Sequence, residues 1–209
     1  MLGSVSTPGH EGVGPQVLVP YFVAFGQPAA AAPPPPSPEV LAQQAIADLY
    51  IPMPAINIGP DRSKAAVNLW LWLWVDEAAP VSVTVSAGGV SVTATATLTS
   101  TTWTLGEPAP TGGPYEAGPP VSITCDGVGQ APPANVDWKA EPPCGHTFSW
   151  MSTTERTGTG AWPIAVTTNW AVTWQSNTGA TGTDSLAGTA DDALQVGEYR
   201  TVLVQGPGG

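Results

Sequence analysis

From residue 68 to residue 75 the chain reads Asn-Leu-Trp-Leu-Trp-Leu-Trp-Val. At a period of two this places Trp70, Trp72 and Trp74 on one face of a strand and Leu69, Leu71, Leu73 and Val75 on the other. A strand that is apolar on both sides lies between two layers, one of them core and the other a helix or a partner. The next segment, residues 80–97, alternates Val or Ala with Ser or Thr and is interrupted by Gly88-Gly89. That is the pattern of a hairpin with one buried and one wet face, turning where glycine makes positive φ cheap.

The same period continues along the chain. It predicts strands at residues 66–75, 81–87, 90–98, 101–105, 121–125, 145–151, 163–175 and 197–204, while 183–192 reads either as a short strand or as a loop. Trp170, Val172 and Trp174 share one face of their strand and join the core. Short strands at regular intervals with turn residues between them describe an all-β sandwich of residues 66–209. One helix precedes it, in residues 37–50. Ser37 is its N-cap, Pro38 fits the first turn, Glu39 favours the positive end, and Leu41, Ala45, Ile46 and Leu49 form an apolar stripe. Residues 37–65, helix and connector, are expected to pack the stripe against an outer face of the sandwich.

Ahead of the helix, residues 1–36 form an extended, Pro-rich N-terminal arm. Residues 1–16 show no periodicity. Residues 17–25 are apolar and β-prone, with Val17, Leu18, Val19, Tyr21, Phe22, Val23 and Phe25 as side chains to bury, and Pro20 demotes the run to an edge or added strand. The spacer 27–36 ends in four prolines, which favour stiff polyproline II.

Charge narrows the function by exclusion. Sixteen acidic and five basic residues give a formal net charge of -11, which repels phosphate backbones and anionic lipid surfaces and excludes nucleic acid as a partner. No apolar run is long enough to span a membrane. The first residues lack the basic start and apolar stretch of a signal peptide, at odds with a composition that suits an exported domain. Cys125 and Cys144 suit one bridge in a secreted protein. The other readings are a reactive thiol or a zinc site, although zinc needs about four close ligands and this chain offers the two cysteines and His146, with His10 far away in the arm.

No catalytic motif emerges. No serine stands in a Gly-x-Ser-x-Gly elbow. The acid pairs Asp76-Glu77 and Asp191-Asp192 read as solvated turn residues rather than a glycosidase pair. Asp126, Asp184, Asp191 and Asp192 match no calcium-loop spacing, and neither Lys64 nor Lys139 follows a phosphate-binding glycine loop. No enzyme, metal or cofactor is expected. His146 reads as a structural side chain that bonds across a turn. Trp138, Trp150 and Trp162, near loops, are the candidate exposed binding aromatics.

Four motifs stand in order: Ser-Thr-Thr-Trp-Thr-Leu-Gly at 100–106, Thr-Cys-Asp-Gly-Val-Gly at 124–129, Pro-Cys-Gly-His-Thr-Phe at 143–148, and a final strand ending Asn-Trp-Ala-Val-Thr-Trp at 169–174. In this arrangement residues 38–204 resemble the PKD-like domain of a family of actinobacterial exported proteins. The resemblance implies an Ig-like sandwich, a bridge from Cys125 to Cys144, and display outside the cytoplasm. The chain departs from the pattern at Gly106-Glu107-Pro108, where an acidic glycine turn would stand, which removes any metal site that turn helps form. These features together read as a non-enzymatic extracellular or cell-surface protein for structure, assembly or adhesion. Its partner is a protein, either a second copy or a surface protein, met by adding the arm to a sheet edge. A carbohydrate- or wall-binding module is the second reading.

Overall fold

The computed structural model describes residues 34–110, 117–137 and 139–200. The chain divides into two compact units, Met1–Pro34 and Pro35–Gly209, and the fold is that of the second. Helix α1 (Pro38–Ala47) leads into strands β1 (Ile56–Gly59), β2 (Trp70–Val75), β3 (Val81–Ala87), β4 (Val90–Pro110), β5 (Ala117–Asp126) and β6 (Gly145–Thr147). A single turn, α2 (Thr154–Thr157), precedes β7 (Trp162–Ser176) and β8 (Thr181–Leu194). The strands make two antiparallel sheets, a small one ordered β1-β2-β6 and a large one ordered β3-β4-β7-β8. The all-β, sandwich-like architecture is as expected.

β4 organises the large sheet. Its first part pairs with β3, its last part pairs with β5 on the same edge, and β7 runs along the other edge. The expected strands 90–98 and 101–105 are one strand carrying a bulge, because Leu98 pairs with Trp170 and Ser100 with Asn169, leaving Thr99 unopposed. The bulge moves the inward positions from even to odd. Val92, Ala94 and Ala96 before it and Thr101, Trp103, Leu105 and Glu107 after it are buried on the same face, beside Trp162, Ile164, Val166, Thr168, Trp170 and Val172 of β7. The opposite face holds Ser82, Thr84, Thr93 and Thr95, whose hydroxyls pair across β3 and β4. Gly88 and Gly89, at φ 59 and 83, close the β3–β4 hairpin in the left-handed region.

One face of this sheet has two covers side by side. At the Val92 end lies α1, with Leu41, Ala42, Ala45 and Ile46 packed over Val92, Ala94, Ala96, Trp170 and Val172. The helix therefore shares the inner layer with the small sheet and does not pack on an outer face, as the sequence had implied. Its stripe needs an apolar floor, and only the inner face of β4 and β7 supplies one. At the other end Ile58, Leu71, Leu73 and Val75 pack over Trp103, Leu105, Ile164 and Val166. Each of these large side chains contributes roughly 1.5–3 kcal/mol by leaving water. Where the covers meet, Thr101 and Thr168 are buried, and each hydroxyl accepts the indole N–H of the tryptophan two residues on, Trp103 at 3.2 Å and Trp170 at 3.1 Å.

Several boundaries moved. The strand expected at 66–75 begins at Trp70, and β1 arises in the connector, where prolines masked it. The strand expected at 145–151 stops at Thr147, because the next residues turn to meet Glu107. The segment 183–192 lies within β8, a full partner of β7. Of the strand expected at 197–204, the described part makes one parallel bridge, Ala66 to Gly197. The assembly residues Val17, Leu18, Val19, Tyr21, Phe22, Val23 and Phe25 lie outside the described residues.

Candidate functional site

The disulfide is present: Cys125 at the end of β5 and Cys144 just before β6 are joined, with Cα atoms 5.5 Å apart. It ties an edge of the large sheet to the small one. Further along β4, Glu107, only 2% exposed, reaches across the layers. One carboxyl oxygen accepts from the backbone N–H groups of Ser149 at 2.6 Å and Trp150 at 2.8 Å, and the other meets His146 Nε2 at 2.8 Å. The His146 ring stands edge-on to Phe148, with centroids 4.9 Å apart. His146 thus bonds between sheets, from β6 to β4, rather than across its own turn.

Glu107 escaped the sequence reading because the strand was ended at Leu105. Its signal was parity: residues 101, 103, 105 and 107 all point inward, and a carboxyl in that row demands donors. Gly106, at φ 64, permits the approach, since a Cβ there would lie 2.5 Å from the Pro163 ring.

The candidate aromatics separate. Trp162 is buried at the start of β7, and its indole N–H donates to the Trp150 carbonyl at 3.1 Å. It belongs to the core, contrary to its expected role as an exposed binding residue, because β7 begins one residue earlier than its pattern indicated. Trp138 lies outside the described residues. Trp150 is 45% exposed, with the Arg156 guanidinium 4.1 Å from its ring centroid. Its backbone is held by Glu107 and Trp162 while its indole faces outward.

Over much of its length the outer face of β2 meets the loop between the two cysteines rather than the helix. Trp72 pairs with Gly59 on one side and Gly145 on the other; Pro132 lies against Gly59 and Pro142 against Gly145. Gly129 bridges to Trp74, and Val75 N–H donates to the Val128 carbonyl at 2.8 Å. The proline-rich loop closed by the disulfide therefore folds back over the tryptophan strand. Trp70 stays half-exposed in an apolar groove of about 560 Å³, with Pro60, Leu69 and Tyr199 among its walls.

Among the described residues the outermost strands of both sheets each pair with a single strand, β1 and β6 with β2 and β5 with β4. β8 pairs only with β7, and β3 only with β4. The end of β8 is tied by Arg62, which bonds Asp192 and the Ala193 carbonyl. Asp191 and Asp192 are therefore neighbours in a strand, not in a turn. Asp76 accepts from the Asn57 amide at 2.9 Å. Among the described residues no three His, Cys, Asp or Glu side chains cluster as metal ligands, and no helix is long and apolar enough to cross a membrane. No family model, curated protein or solved structure matches the chain, so geometry alone bears on its function.

Proposed function

We propose that the chain is a non-enzymatic structural or assembly module of the cell surface, Ig/PKD-like in fold, whose residues 17–25 add as a strand to the open edge of β8. The observation that carries this reading is the position of that edge relative to the spacer. Pro35 lies against Gly88 at the β3–β4 turn, the end of the sheet where β8 begins beside Gln175. From β4 to β8 is two strand steps, about 10 Å. The nine residues between Phe25 and Pro35 span roughly 28 Å as polyproline II, ample reach for the arm of the same chain or of a neighbour. Exposed Asp184 and Asp191 on β8 disfavour pairing of one β8 with another and leave an uncharged strand as the acceptable addition.

The disulfide supports an oxidising compartment. Deleting residues 1–36 tests the reading by light scattering and thermal unfolding. A lower assembled mass, or an unchanged mass with lower stability, supports addition in trans or in cis respectively; unchanged mass and unchanged stability would sink it. The carbohydrate reading rests on Trp150 among the described candidates, and a glycan pull-down that survives Trp150→Ala removes that support.

A further inference from the structure

We propose that Trp150 and Arg156 form a recognition point for a single carboxylate of a protein partner, a glutamate or aspartate flanked by uncharged residues. Charge points there first. Sixteen acidic residues stand against five basic ones, and Arg62, Lys64 and Arg200 are taken up within the chain by Asp192, Asp61 and Glu198. Arg156 has no carboxylate partner among the described residues. The neighbouring Glu155 is engaged elsewhere, since its own N–H and then the Thr153 hydroxyl hold its carboxyl below the ordinary range. The Arg156 guanidinium rests instead on the Trp150 ring, 4.1 Å from its centroid, and both residues are exposed.

The pair stands on a rigid base. Trp150 N–H donates to buried Glu107, and the Trp150 carbonyl accepts from the Trp162 indole. Arg156 lies in α2, whose turn is closed by Arg156 N–H to the Thr153 carbonyl at 3.0 Å and Gly158 N–H to the Thr154 carbonyl at 2.8 Å. Thr157 Oγ1 then accepts from Gly160 N–H at 2.7 Å. The buried Ser152 hydroxyl donates to the Gly160 carbonyl at 2.8 Å and accepts from Val196 N–H at 2.8 Å. Two exposed side chains held on such a base lose little freedom when a partner binds.

The chemistry of the pair selects its partner. A guanidinium stacked on an indole keeps its N–H donors directed outward in its own plane, where a carboxylate is received by two parallel bonds. The apolar stem of that carboxylate packs along the indole, and Trp and Arg are the residue types that concentrate affinity at interfaces. Because Arg156 covers one face of the ring, a sugar finds no open face on that side to stack on. The net charge of -11 repels a polyanion, so one acid between uncharged residues fits and an acidic run does not.

The test titrates the full chain with the end-blocked peptide Gly-Leu-Glu-Leu-Gly and with its Gln counterpart, following the Trp150 indole N–H by NMR. At low salt the Glu peptide is expected to bind several-fold more tightly than the Gln peptide. Arg156→Gln removes that preference, and Arg156→Lys, which keeps the charge without the planar fork, restores only part of it. Arg156 is exposed, so both variants are expected to unfold at the parent's urea midpoint, which separates a lost contact from a lost fold. Equal binding of the two peptides by the full chain, binding of neither, or a preference that survives Arg156→Gln would overturn the inference. An oligoglucuronate that binds more tightly than the Glu peptide would overturn the assignment to a protein partner.

Discussion

At the Val92 end of the large sheet the cover is a helix seated on alanines, and at the Leu105 end it is three short strands seated on tryptophan and leucine. The helix end is local in construction. Ser37 accepts from Val40 N–H at 3.4 Å to start the helix, the apolar stripe meets Ala94 and Ala96, both fully buried, and little else is required. The strand end cannot rely on its ladders. β1 has four residues and β6 three, below the usual strand length of about five or six, so few backbone bonds hold each. A disulfide, a buried carboxyl and a surface ion pair attach the small sheet there. Where pairing is short, fixed ties replace it.

The largest effect is expected at Glu107. Glu107→Ala leaves the Ser149 and Trp150 N–H groups and the His146 ring without their acceptor, and is expected to lower stability by about 3–5 kcal/mol, the usual cost of breaking a buried pair. Glu107→Gln keeps one carbonyl acceptor for the two backbone donors and loses less. Urea unfolding of the two variants measures both; an alanine variant no weaker than a typical surface change would show that the small sheet is held by other means.

Removing the disulfide comes next. For cysteines 19 residues apart, chain entropy gives about 3 kcal/mol, and the Cys125→Ser, Cys144→Ser double variant is expected to show that loss in thermal or urea unfolding. Fluorescence sharpens the comparison: the Pro132 and Pro142 loop that lies beside Trp72 and Trp74 loosens, so acrylamide quenching rises at the strand end. Quenching that stays at the level of the bridged protein would mean that the loop is held by its own packing.

At the helix end the sensitive element is small size. Ala96→Leu forces α1 away from the sheet and is expected to cost about 1–3 kcal/mol by overpacking, whereas Thr97→Val, on the opposite exposed face, changes stability by no more than about 0.5 kcal/mol. Ser37→Ala removes the cap for about 1 kcal/mol. Equal effects at Ala96 and Thr97 would contradict a close seat for the helix.

This contrast also explains what could be read in the chain. The helix end was legible: α1, its cap, the β3–β4 turn and the shared face of Trp170 and Val172 are set by neighbours in sequence. The strand end was not. β1 hides between prolines, β6 is too short to show a period, and Trp162 looked loop-bound although its indole bonds Trp150 across a turn. The site residues show the same division. His146 was recognisable as a structural side chain, but its partner lies 39 residues away, and only the parity restored by the Thr99 bulge marks Glu107 as inward. The tryptophan strand was seen to need an outer cover, and sequence alone did not reveal that the loop between the cysteines supplies most of it.

The smallest effect distinguishes a surface tie from the buried one at the same end. Arg62, in the turn after β1, bonds Asp192 of β8, and this hydrogen bond is the main cause that holds the Asp192 carboxyl below its ordinary range; the Ala193 N–H and the Arg62 charge act in the same direction and burial opposes them. A carboxyl with a depressed folded pKa contributes stability that is complete above its unfolded value, about 3.9, and is lost as pH falls through the folded value. Both side chains are more than a third exposed or close to it, at 39% and 34%, so solvent screening keeps the contribution below about 1 kcal/mol. Arg62→Gln is therefore expected to lower the urea midpoint slightly at pH 7, with the difference from the parent shrinking as pH drops below about 4 and as salt rises. A difference that persists unchanged in acid would assign the tie to the Arg62 bond with the Ala193 carbonyl rather than to charge. The strand end would then be held by hydrogen bonds and one covalent bridge, with no ionic share.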